Sequence, residues 1–152
     1  MAAMCDICEG ASDDELLFGI HGRKLNFGWA IEYVWADEPL FSWGYTIGLT
    51  ERFGHPELTV AGRCAEHTGR LLNALGRAIQ EGRLDGHDGS VSLDGVGYNL
   101  LEVHPGHYEA GTFAMWEFYY RALGWGPPEH RVLEIVALDE RPRFTSEPAH
   151  EP

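Results

Sequence analysis

Ten residues, FSWGYTIGLT from Phe41 to Thr50, alternate strictly with period two. Phe41, Trp43, Tyr45, Ile47 and Leu49 fall on one face. Ser42, Gly44, Thr46, Gly48 and Thr50 fall on the other. The alternation is that of a β-strand. Its large apolar face needs burial. Its small face invites close approach, because glycine in a strand gives up packing and adds an entropic cost. Two occupants suit that face: a helix packed tightly on it, with 65–81 as the candidate, or a flat ligand resting on Gly44, Thr46 and Gly48.

The neighbouring segments fit around this strand. WAIEYVW, 29–35, also alternates, so it pairs with 41–50 as an antiparallel hairpin. ELTVAG, 57–62, reads as a third strand after the loop ERFGHP. Residues 65–81 carry Leu71, Leu72, Leu75 and Ile79 at helical spacing, with Gly82 placed as a C′ residue. Asp94-Gly95 between two short alternating runs marks a second hairpin. RVLEIVALD is apolar on both faces, which predicts a central strand. Ser12 and Glu15 form a capping box for a helix over 13–26, ended by Gly28. Phe113, Trp116, Tyr119, Tyr120 and Leu123 make an aromatic stripe on a helix over 110–123, a pattern typical of core. The chain of 152 residues is one ordinary domain in size. It is read as a short leader (1–11), a globular unit (12–144) and a disordered polar tail (145–152). The class is α+β: a mainly antiparallel sheet, open or curled toward a barrel, with two main helices.

Charge narrows the function. The chain carries 24 acidic and 11 basic residues, a net charge of −13. No basic footprint exists to displace counterions from phosphates, which argues against nucleic acid and against an anionic membrane surface. No apolar run is long enough to span a bilayer, and the first ten residues have no signal-peptide pattern. Three cysteines without a secretion signal point to reduced thiols in the cytoplasm.

The elements GWA, YTIGLT, GHPEL with the following VAG, LLNALGRAIQEG and VLEIVALDE together resemble the bacterial DUF4262 family over roughly residues 5–145. The family is a domain of unknown function, so the resemblance implies no activity. The Cys5-x-x-Cys8 pair is similar to one found in many members. Two departures stand out: Phe27 where the family often has His, and Glu134 where it often has Gln.

Several constellations could carry chemistry. In GHPEL, Pro56 biases His55 toward extended backbone, which puts His55 and Glu57 on one side of a strand start. A His beside a carboxylate serves as general base or metal ligand. EVHPGHYE adds His107 as a third candidate. These three residues, His55, Glu57 and His107, are the expected catalytic set. Tyr45, Thr46 and Gly48 would admit a ligand, and Trp125, in the rigid loop GWGPP, would act as its lid. The strand order is loosely similar to split-barrel flavin proteins, an analogy of fold only. Cys5, Cys8, Cys64 and His67 have the composition and pair spacing of a Cys₃His zinc set. The bland alternatives are a loop histidine bonded to backbone, and free thiols.

Two functional classes follow. The first is a small cytoplasmic enzyme or cofactor- or metal-binding protein, with its site near the GHPEL and HPGH turns and zinc as the metal in view. The second is a non-catalytic interaction module, binding a protein partner or forming a homo-oligomer.

Overall fold

A computed structural model describes residues 12–36, 41–84 and 89–148. Cys5, Cys8 and the rest of the leader, the turn at 37–40, the loop at 85–88 and residues 149–152 lie outside the described residues.

Six strands form one sheet: β1 (Ala30–Val34), β2 (Trp43–Ile47), β3 (Glu57–Ala61), β4 (Gly89–Leu93), β5 (Val96–Glu102) and β6 (Val132–Ala137). Their spatial order is β1-β2-β3-β6-β5-β4. It consists of two antiparallel triplets, β1-β2-β3 and β4-β5-β6, joined by the parallel pair β3–β6. The edges β1 and β4 are not paired with each other, so the sheet is open and not a barrel. β6 lies in the middle and all its residues are buried, as its two-sided apolar pattern predicts. The helices among the described residues are α1 (Asp13–Phe27), α2 (Leu49–Phe53), α3 (Ala65–Gln80), α4 (Gly106–Glu109) and α5 (Ala114–Leu123). None of the described helices is long and apolar enough to cross a membrane.

Local signals explain most boundaries. The Ser12 hydroxyl accepts from Glu15 N–H and donates to the Glu15 carboxylate, both at 3.2 Å, so Ser12 caps α1 through its side chain. The β4–β5 hairpin turns at Asp94 (φ 50°) and Gly95 (φ 79°), the positive values that an Asp-Gly hairpin turn requires.

The two sheet faces have different cores. On one face α3 lays Leu71, Leu72, Leu75 and Ile79 on Leu58, Val60, Leu100, Leu133 and Ile135. A helix therefore covers the small face of β2: a Cβ built on Gly44 would come within 2.5 Å of Thr68 Cγ2. On the opposite face Tyr45, Ile47 and Val132 meet Ile20 of α1 and Phe113, Trp116, Tyr119 and Tyr120 of α5. The aromatic stripe is core, as its spacing predicts.

The alternation of residues 41–50 stops early. Leu49 belongs to the α3 side, opposite Tyr45 and Ile47. Gly48 adopts φ 120°, which turns the chain out of the strand and into α2. That short helix occupies part of the segment expected to be loop. Residues 145–148 also belong to the described structure: the Ser146 carbonyl lies 2.8 Å from His107 Nε2.

Candidate functional site

The start of α2 is organised around one carboxylate. Glu57 is fully buried. Its Oε1 accepts from Thr46 Oγ1 at 2.8 Å and Leu49 N at 3.1 Å. Its Oε2 accepts from Gly48 N at 3.1 Å, Thr50 N at 3.4 Å and Trp116 Nε1 at 3.0 Å. Burial pushes the Glu57 pKa up, and the donors from Thr46, Trp116, Gly48 and Leu49 oppose that rise. All five partners donate, so the arrangement serves the carboxylate form, and it satisfies the first N–H groups of α2. Its effect is to hold β2, β3, α2 and α5 in register.

Above this carboxylate lies a second network. Lys24 of α1 is buried, and its Nζ donates to Glu51 Oε1 and to Tyr119 Oη at 2.9 Å. The ammonium also lies 4.5 Å from the centre of the Tyr119 ring and 5.3 Å from that of Tyr120, a cation–π arrangement. Tyr120 Oη donates to Glu51 Oε1 at 2.7 Å. Burial and the bond to Glu51 both push the Tyr120 pKa up, so the phenol keeps its proton. Tyr119 Oη, accepting from Lys24, retains its own hydrogen for His21 Nδ1 at 3.0 Å. His21, Tyr119, Lys24, Glu51 and Tyr120 thus make one continuous hydrogen-bonded chain drawn from α1, α2 and α5. Glu51 Oε2 has no protein donor among the described residues.

Two cavities flank the segment 124–128. One, of about 470 Å³, is lined by Thr50, Glu51, Gly54, Pro56, Trp125 and Arg131 among others. The other, of about 610 Å³, is lined by Trp116, Glu117, Tyr120, Trp125 and His130 among others. Gly126, Pro127 and Pro128 border both. The segment rests directly on α5: a Cβ on Gly126 would approach Tyr120 Cβ to 2.9 Å. Trp125 is 56% exposed and meets the Tyr120 ring edge-on at 6.1 Å. Beneath it His130 stacks on Trp116 at 3.7 Å, nearly parallel at 3°. Both His130 ring nitrogens are buried without a hydrogen-bond partner among the described residues. Glu117 Oε1 is 3.7 Å away, beyond hydrogen-bond distance. Burial pushes the His130 pKa down to about 4, so its ring is neutral at pH 7.

The expected site residues are distributed as follows. His55 is buried at the GHPEL turn, its Nδ1 2.7 Å from the Pro56 carbonyl. His107 is buried elsewhere, with Nε2 on the Ser146 carbonyl and Nδ1 3.4 Å from Thr112 Oγ1. It makes no hydrogen bond with Glu57, so the structure does not join the three into one cluster. Tyr45 is buried and its hydroxyl accepts from Met115 N–H at 2.9 Å. Thr46 and Gly48 contact the Glu57 carboxylate. Trp125 lines both cavities. Cys64 caps α3, accepting from His67 N–H at 3.4 Å, and both residues are exposed. Their proposed zinc partners Cys5 and Cys8 are outside the described residues. Among the described residues no group of three His, Cys, Asp or Glu side chains is placed to hold a metal ion.

Lys24, Glu51, Tyr119, Tyr120 and His130 escape sequence reasoning. The available signals were weak: an acidic residue directly after the small-faced strand, and two adjacent tyrosines inside an aromatic helix. Glu134 is a second carboxylate with a structural part. It is buried and accepts from Arg143 N–H and Phe144 N–H at 2.8–3.0 Å, tying the C-terminal segment to β6.

Comparison with curated proteins and with solved structures finds no match. The DUF4262 family model, a domain of unknown function, matches residues 25–151, which include every strand, the cavities and all of the Lys24 network except Lys24 and His21 themselves, and the chain belongs to that family.

Proposed function

We propose that this protein binds a small organic molecule in the cleft between α2, the Gly54–Pro56 turn and the segment 125–131, with Glu51 as its polar anchor. The observation that carries the reading is the Glu51 carboxylate. One oxygen is held by Lys24 and Tyr120, the other has no protein donor among the described residues, and the side chain lines the 470 Å³ cavity. A cleft of that size suits a drug-sized or smaller ligand. An ordered acceptor in such a cleft recognises a ligand N–H or O–H. The GHPEL turn keeps its place in this reading, since Gly54 and Pro56 form part of the wall. The test is amide chemical-shift mapping with a fragment library. Hits should perturb residues 50–56 and 124–131. Hits confined to another groove, such as that lined by Cys64, Leu71 and Tyr98, would overturn the assignment.

Two further readings have specific support. Cys64 and His67, exposed on the first turn of α3, suit two ligands of a zinc set completed by Cys5 and Cys8. Elemental analysis of the purified full chain, with Cys5→Ser as control, tests this. The outer stripe of α1 exposes Phe18 (77%) and Leu25 (69%) around Gly22, which favours an interaction role. Light scattering of the wild type against Phe18→Ser reads any self-association.

A further inference from the structure

The side chains around the smaller cavity go further than a generic ligand site. The ligand class assigned below rests on the reading of this cleft as the binding site. Two carboxylates line the cavity, Glu51 and Glu129. Glu129 is exposed and has no ion-pair partner among the described residues. Arg131, the one arginine in that lining, has its guanidinium held by Glu102 in two bonds of 2.7 Å. Lys24 sits behind Glu51, buried against the two tyrosine rings. Counting Lys24 and Glu102 with the lining, carboxylates outnumber cations. Trp125 presents an exposed indole at the rim, and the Pro127 and Pro128 rings complete an apolar wall. An indole face near carboxylates, within a chain of net charge −13, attracts and desolvates positive charge.

We infer that the ligand of this cleft is an organic cation, an amine carrying an apolar group. Its ammonium binds Glu51 Oε2 and Glu129, and its apolar part lies on Trp125 and the prolines. An anionic ligand meets two carboxylates there and no uncommitted cation. A neutral ligand leaves Glu129 unused.

The probes are three isosteres: benzylammonium, benzyl alcohol and benzoate. Each is titrated against the full chain while the amide shifts of 50–56 and 124–131 are followed. Benzylammonium should bind about tenfold more tightly than benzyl alcohol, and benzoate should not bind. High salt should weaken benzylammonium several-fold and leave benzyl alcohol unchanged. Glu129→Gln, at an exposed position that leaves the fold intact, should reduce the preference for the cation. Trp125→Ala should reduce binding of both benzyl probes. If benzyl alcohol or benzoate binds there as tightly as the amine, the cationic class is overturned and the cleft assignment stands. If none of the three perturbs these residues, both the class and the site are overturned.

Discussion

The two faces of the sheet are built from different materials. The α3 face is dominated by leucine, isoleucine and valine, with Trp29 and Tyr98 at its margins. The α1/α5 face is aromatic and holds a buried lysine, two buried carboxylates and three buried tyrosines. The first face is held mainly by packing, with one added bond from the Trp29 indole to Asn73 of α3 at 3.0 Å, and apolar side chains of matching volume would serve most of it. The second face depends on direction. Each buried polar group there needs a partner at a defined position, so the same residues that stabilise it also fix its geometry. That face carries the cleft.

The largest expected effect separates the two kinds of core. Glu57→Ala removes the acceptor of five donors and should cost about 3–5 kcal/mol or prevent folding, read by urea unfolding. Leu72→Ala on the α3 face should cost about 3 kcal/mol through the cavity it leaves. It should leave the amide shifts of 124–131 unchanged. Equal disturbance of those shifts by a folded Leu72→Ala protein would remove the distinction between the faces.

A pH experiment sharpens it. The folded pKa of His130 lies at about 4 against the ordinary value of 6.5, so the unfolded state takes up its proton first. Stability from this residue is full above pH 6.5, is lost as pH falls below it, and is gone near pH 4. The loss amounts to about 2–3 kcal/mol after allowance for partial solvent access. His130→Phe keeps a ring over Trp116 and should flatten the acid limb of the wild-type curve by that amount. An unchanged acid limb would show that His130 is not held neutral. The smallest expected effect on stability comes from Trp125→Ala, below about 1 kcal/mol at so exposed a position. Its loss of ligand-dependent shifts is what marks the cleft.

How far the sequence reaches depends on distance along the chain. β6, α3 and the Asp94-Gly95 turn are legible because period and turn chemistry act over a few residues. The sequence also singles out Glu57 and the small face of β2, although it leaves their partners open. The local signal for α2 is slight: Gly54, whose φ of 69° closes its C-terminus. Five residues are too few to offset helix nucleation, and this helix exists because Glu57, from the next strand, receives its first N–H groups. Glu51 meets Lys24 across 27 residues and Tyr120 across 69, so no window of the sequence contains that network.

The sequence by itself therefore determined the class of fold, the identity of the central strand, the helix that covers Gly44 as one of two options, and the family. Only the tertiary structure decided which carboxylate is spent on the fold and which faces a cavity. Glu51 and Glu57 are the same residue type and only six positions apart in the chain. What distinguishes them is the number and direction of donors around each, and those come from α1, β2, the start of α2 and α5, elements that meet only when the sheet has closed its aromatic face.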